Sequence, residues 1–74
     1  MNAAQCRAAR ALLNWTVKHL AKEAMVSTST VVILENGGEL KPRTVAAIRA
    51  AFEVAGVEFI VGGVKLKSSE GETP

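Results

Sequence analysis

Two short helical segments joined by a tight turn constrain this chain more than any other feature. Their apolar residues recur at helical spacing on either side of residues 25–27. Ala21 places a small side chain where two helices would cross closely, and Val31 and Leu34 have the spacing needed to pack the second segment onto the first. The sequence therefore predicts a pair of crossed helices with Met25 in the turn between them.

The remaining chain up to residue 55 predicts two further helices. Asn2 and Gln5 have the spacing of a capping box at the start of a first helix, over residues 3–13. Pro42 near its start and Gly56 after its end bracket a last helix. The expected N-caps of the two middle helices are Thr16 and Ser27, and the expected buried stripe of the last helix is Val45, Ile48, Ala51, Phe52 and Val54.

Beyond Gly56 the apolar period changes from helical to alternating, which predicts a β-hairpin over residues 57–67 with Gly62 and Gly63 at its turn. This hairpin either packs over the helices, the third one included, or offers its edge to a second copy in a homodimer. The polar residues 68–74 are expected to form a disordered tail. The prediction is a mainly α domain, residues 1–67, with four to five helices and a C-terminal β-hairpin.

Length and composition indicate how many domains the chain forms and in which cellular compartment it works. A chain of 74 residues accommodates one small domain. Its single cysteine, Cys6, allows no internal disulfide, which fits a reducing compartment. Neither a membrane-spanning run nor a signal peptide is recognisable. We expect a cytoplasmic protein.

The residues that carry most enzyme chemistry are too few for a catalytic site. His19 is the only histidine, Cys6 is the only cysteine, and there is no aspartate. Neither a catalytic triad nor a set of metal ligands can be assembled from them. We therefore expect no enzymatic activity, no cofactor and no bound metal.

The charge balance gives only a weak indication of a polyanionic partner. Nine basic and seven acidic residues leave a net charge of +2, which steers a ligand little. No lysine or arginine lies between Lys22 and Lys41, so the second helix of the crossed pair carries no positive charge.

Four runs of this sequence resemble one family along nearly the whole chain. They are AQCRAARALLNWT, LAKEAMVSTSTV, LENGG and PRTVAAIRAAFEVAGVEFI. Together they are similar to the Cro/C1-type (Xre-like) helix-turn-helix proteins of bacteria. The resemblance implies a transcription-regulatory domain whose third helix would enter the major groove of DNA.

Several positions depart from the pattern of that family, and they change the chemistry of the third helix. The family often has glutamine at the position of Val17 and glycine at the position of Met25. Thr28 stands where arginine or glutamine is common, and Val32 and Ile33 replace polar residues that would face DNA. These five residues predict an apolar surface that binds a protein partner.

The leading hypothesis is that this surface binds and disables a transcription activator. The combination is similar to small helix-turn-helix antiactivators of the quorum-sensing and gene-transfer type. The alternative is a dimeric repressor that binds operator DNA in a sequence-specific manner. In that case the base contacts would come from Ser27, Thr28, Ser29 and Asn36, and the phosphate contacts from Lys18, Lys22, Lys41 and Arg43.

Overall fold

The computed structural model describes residues 1–67, and the predicted tail 68–74 lies outside the described residues. The elements in chain order are α1 (Ala3–Leu13), α2 (Val17–Ala24), α3 (Thr28–Glu35), α4 (Pro42–Val54), β1 (Val57–Ile60) and β2 (Gly63–Leu66). The prediction of a mainly α fold with a C-terminal hairpin is confirmed. None of the helices in residues 1–67 is long and apolar enough to cross a membrane.

Polar side chains cap the first turns of α1, α2 and α3, as the sequence predicts. In α1 the Gln5 amide donates to Asn2 Oδ1 at 2.8 Å, and the Asn2 amide donates to Gln5 Oε1 at 2.9 Å. The Thr16 hydroxyl accepts from the amide of the third residue of α2. The Ser27 hydroxyl does the same for α3. Each contact satisfies an amide that has no partner within its own helix.

The turn between α2 and α3 depends on a left-handed residue. Met25 has a φ of +59°. The amide of Val26 donates to the Ala21 carbonyl at 2.9 Å, and the amide of Met25 donates to the Lys22 carbonyl at 3.2 Å. This pair of bonds closes the end of α2 and directs the chain into α3. The predicted position of Met25 in the turn between the two helices is confirmed.

One apolar core joins all four helices to the hairpin. The fully or nearly buried apolar residues are Cys6, Ala9, Leu20, Ala21, Ala24, Val31, Leu34, Ile48, Phe52 and Val57. Trp15 closes this core at the corner between α1 and α2, where its ring stacks on Phe52 with centroids 5.8 Å apart. The predicted burial of Val31 and Leu34 is confirmed.

Two apolar residues predicted to face inward do not. Val54 was expected in the buried stripe of α4, but its side chain is 89% exposed. It follows Phe52 by two positions, which turns it about 200° around the helix and away from the core. The helical spacing of Leu12 with Cys6 and Ala9 predicts an inward side chain in α1, but Leu12 is 42% exposed.

The hairpin packs on α1 and α4 and leaves α3 uncovered. Its strands are antiparallel, with Val57 opposite Leu66 and Ile60 opposite Gly63. The side-chain amide of Gln5 fastens its turn to α1, because Nε2 donates to the carbonyls of Ile60 at 2.8 Å and Gly63 at 3.0 Å. The main contacts of the hairpin are with α1 and α4. The outward side of α3 is therefore left free for a ligand.

Candidate recognition surface

The outward side of α3 combines polar and apolar residues. We call it the α3 outer face; its residues are Thr28, Ser29, Val32, Ile33 and Asn36, and all five are exposed. Val32 is 44% exposed and Ile33 is 45% exposed. None of the five side chains carries a charge, so this face offers a ligand only shape, apolar contact and neutral hydrogen bonds.

The two apolar side chains of this face do not form one continuous patch. Consecutive residues diverge by about 100° around a helix, so Val32 and Ile33 point to different sides of it. Ser29 and Asn36 lie between them on the same helical projection. The α3 outer face is therefore a polar ridge with one apolar side chain on each flank.

Gly38, in the loop after α3, fixes the surroundings of Ile33. Its amide donates to the Ile33 carbonyl at 2.8 Å. A Cβ atom at residue 38 would lie only 2.7 Å from Ile33 Cγ2 and 3.0 Å from the Ile33 carbonyl oxygen. Glycine thus allows the loop to pass directly against the Ile33 side chain.

Met25 lies in a different surface from Val32 and Ile33. Its side chain is 91% exposed. It lines an open groove of about 230 Å³ between α2 and α4. The other residues of this groove are Glu23, Ala24, Ala47, Ala50, Ala51 and Val54. The structure therefore does not bring Met25 into one groove with the two apolar residues of α3.

Val17 and Thr28 complete the set of predicted partner contacts. Val17 is half-buried and packs against the core, so only part of its side chain is open to a ligand. Thr28 is exposed in the first turn of α3.

A buried carboxylate at the end of α3 was not predicted from the sequence. Glu35 is only 7% exposed. Arg10 of α1 holds both of its carboxylate oxygens, with Nε at 2.7 Å from Oε2 and Nη2 at 2.8 Å from Oε1. The Cys6 thiol donates to Oε2 at 3.2 Å, and Arg7 donates to the Glu35 backbone carbonyl. These contacts fix the end of α3 to α1.

This cluster shifts the protonation of its members in opposite directions. Burial, reinforced by the neighbouring Glu35 carboxylate, raises the pKa of the Cys6 thiol to about 12. Burial alone would raise the pKa of Glu35, but hydrogen bonds from Arg10 and Cys6 lower it overall. At neutral pH the cluster therefore holds a neutral thiol and an ionised carboxylate. Cys6 is a core residue, as predicted.

The positions proposed for DNA contact are all on the surface. Lys18, Ser27, Thr28, Ser29, Asn36, Lys41 and Arg43 are exposed. Ser27 is already engaged, because its Oγ accepts from the Thr30 amide at 3.1 Å and contacts Thr30 Oγ1 at 2.8 Å. Arg10 is ion-paired with Glu35, whereas the exposed Arg7 donates to the Glu35 backbone carbonyl and keeps its charge at the surface.

The architecture agrees with a comparison of the sequence with known families. A sequence model of the helix-turn-helix family matches residues 7–59, from α1 to β1. This chain belongs to the helix-turn-helix family. A search of curated proteins gives no match. Within the helix-turn-helix motif, α2 is the first helix and α3 is the recognition helix, and the protein is a small transcription-regulatory domain of the Cro/C1 type.

The recognition helix of this helix-turn-helix domain has few groups suited to reading bases. Its exposed positions carry no arginine, lysine or glutamine. Ser29 and Thr28 accept or donate without distinguishing one base from another, and Val32 and Ile33 offer only apolar contact. Asn36 is the single exposed side chain of this face with an amide. The α3 outer face therefore offers few groups for direct contact with base edges.

Proposed function

We propose that this helix-turn-helix domain regulates transcription by binding a protein, a transcription activator, through the α3 outer face. Thr28, Val32 and Ile33 form the centre of the contact, and Val17 and Met25 extend it on neighbouring surfaces. The binding would withhold the activator from its promoter, which makes the domain an antiactivator. The observation that carries this proposal is the exposure of Val32 and Ile33 on the recognition helix.

Magnitudes favour a protein ligand at this face. Complete burial of a valine or isoleucine side chain contributes about 1.5–3 kcal/mol of favourable free energy. Burial of the exposed half of Val32 or Ile33 in a complex would therefore contribute roughly 1 kcal/mol each. A bidentate arginine or glutamine contact to a base contributes about 1–3 kcal/mol of discrimination, and this helix provides neither. The apolar flanks therefore favour binding to a protein surface over binding in a DNA groove.

Sequence-specific binding of operator DNA by a dimer is the second candidate function. It is favoured by the family of the chain and by the exposure of Lys18 at the start of α2 and of Lys41 and Arg43 at the start of α4. Such lysines and arginines hold phosphates and set the register of a domain on DNA. Their contribution would weaken steeply with added salt.

A titration of the isotope-labelled domain with a random-sequence duplex at low salt separates the two functions. A non-specific DNA binder has a Kd of about 10⁻⁴ to 10⁻⁶ M at physiological salt and binds more tightly at low salt. We expect no shifts of the amides of residues 27–36. Shifts concentrated on these residues would instead establish the repressor.

Substitution of the apolar flanks tests the protein partner directly. We expect the double variant V32D/I33D to lose retention of host transcription activators while its thermal unfolding remains cooperative. Charged groups at both flanks would have to be desolvated in the complex. Val61→Asp is the matched control, since Val61 is fully exposed in the hairpin turn. Equal retention by V32D/I33D and by V61D would contradict the proposal.

A further inference from the structure

The two sides of α2 face different helices, and its charged residues can be assigned to one side or the other. His19 contacts the ring of Trp15 with centroids 4.7 Å apart, and Trp15 stacks on Phe52 of α4. Glu23, one turn after His19, lines the groove with residues of α4. The flank of α2 that carries His19 and Glu23 therefore faces α4.

Lys18 and Lys22 lie on the other flank of α2. Each precedes His19 or Glu23 by one position, about 100° around the helix. The buried residues Leu20, Ala21 and Ala24 separate the two flanks. Since the main packing neighbours of α2 are α4 and α3, the flank with Lys18 and Lys22 adjoins α3.

Two further cations lie beyond the other end of α3. Lys41 is the N-cap of α4, and Arg43 follows in its first turn. Leu40, packed against the core, holds this segment close to the body of the domain. We call Lys18, Lys22, Lys41 and Arg43 the basic rim; all four are exposed, and none forms an ion pair within residues 1–67.

Opposing negative charge at this surface is small. Glu35, the only acidic residue of α3, is buried against Arg10. Two exposed carboxylates lie close in sequence to the rim: Glu23, which follows Lys22 but lies on the flank of α2 that faces α4, and Glu39, in the loop between α3 and α4. The α3 outer face is therefore uncharged, with one apolar side chain on each flank, and unpaired cations lie on the adjoining flank of α2 and at the start of α4.

We infer that the partner presents apolar side chains bordered by aspartate and glutamate, as an acidic amphipathic helix does. This inference rests on the proposed function and adds the chemistry of the partner to it. An apolar contact would cover Val32 and Ile33, and the partner's carboxylates would meet the basic rim. DNA phosphates would satisfy the rim but leave both apolar flanks without matching contact.

Two synthetic peptides provide the test on the full chain. One is an amphipathic helix of about 18 residues, or five turns, with leucine on one face and glutamate on its borders. Its twin carries lysine in place of every glutamate. We expect the acidic peptide to bind about tenfold more tightly at low salt and to shift the amides of residues 28–36. Added salt should reduce this preference, because the rim is exposed.

Charge-reversed variants of the protein complete the experiment. The variant K18E/K22E/K41E/R43E should prefer the lysine peptide, whereas Lys65→Glu, on the hairpin, should bind as the wild type does. Equal binding of both peptides, abolished by V32D/I33D, would overturn this inference and leave the proposed function standing. No response of residues 28–36 to either peptide would also overturn the inference. A response to duplex DNA alone would overturn the proposed function as well.

Discussion

Met25 holds a backbone conformation that its side chain does not favour. Its φ of +59° lies in the left-handed region, which costs a residue with a Cβ about 1–2 kcal/mol. Asn14, at the end of α1, has a similar φ of +57°, but asparagine tolerates this region better because its short side chain bonds locally. Met25 is therefore the more strained of the two positions.

Replacing Met25 with glycine should stabilise the domain while removing an exposed side chain. We expect Met25→Gly to raise the free energy of unfolding by about 0.5–1 kcal/mol, since relief of backbone strain exceeds the added entropy of the unfolded chain. Urea denaturation measures the change. Asn14→Gly is the control and should give a smaller gain. A lower stability of Met25→Gly would show that the thioether makes contacts that outweigh the strain.

The cross-links between elements set the position of α3. Its start depends on Ser27 and its end on Glu35, which joins α1 through Arg10. Arg10 also donates to the Trp15 carbonyl at 3.0 Å, so one guanidinium links α1, the following turn and α3. The recognition helix is therefore capped at its start by Ser27 and fixed to α1 at its end.

Removing the carboxylate at the end of α3 should weaken the whole domain. We expect Glu35→Gln to lower the free energy of unfolding by about 3 kcal/mol, because the partly buried Arg10 guanidinium loses its charged partner in the core. Glu53→Gln is the control: the exposed Arg49–Glu53 pair, at 3.0 Å, should contribute less than about 1 kcal/mol. Equal losses of unfolding free energy in E35Q and E53Q would contradict the argument that burial makes the Arg10–Glu35 pair the stronger one.

Glu35 also makes the free energy of unfolding depend on pH in the acidic range. The pKa of Glu35 in the folded protein lies below its ordinary value of 4.5. Its contribution is therefore complete above about pH 4.5 and is lost as the pH falls through the lower folded value. Unfolding measured between neutral and acidic pH should show this decline in the wild type and a shallower one in E35Q. Parallel curves would assign the acid dependence to other groups.

Local features were predictable from the sequence, and pairings between distant segments were not. The capping box at Asn2 and the left-handed turn at Met25 depend on residues within a few positions of each other, so their spacing is visible directly. The bond between Arg10 and Glu35 joins residues 25 positions apart and depends on how α1 and α3 cross. Val54 was misplaced for a related reason, because its side of α4 lines the open groove toward α2 and is not packed into the core.

At the scale of the whole molecule, the hairpin and the recognition helix occupy separate sides. The hairpin lies on α1 and α4 and is fastened by the Gln5 amide. Its turn carries Val61, which is fully exposed. Changes in the hairpin should therefore reach α3 only through the shared core.

Gln5→Glu tests this separation with a minimal change. Glutamate retains the oxygen that accepts from the Asn2 amide but loses the donor to the carbonyls of Ile60 and Gly63. We expect amide hydrogen exchange in β1 and β2 to accelerate, while exchange in α3 stays unchanged. Gln5→Ala, which loses both contacts, should also loosen the start of α1. Faster exchange throughout α3 in Q5E would show that the two sides are coupled.

Under the proposed function, the close approach of Gly38 to Ile33 would allow the ligand preference of this domain to be altered by a substitution outside α3. A methyl group at residue 38 would displace the Ile33 side chain or the loop beneath it, without changing any amino acid of α3. Variants such as Gly38→Ala or Gly38→Ser should therefore shift the ranking of partners more than they shift overall affinity. A mutational library intended to redirect this domain should include position 38 together with Val32 and Ile33.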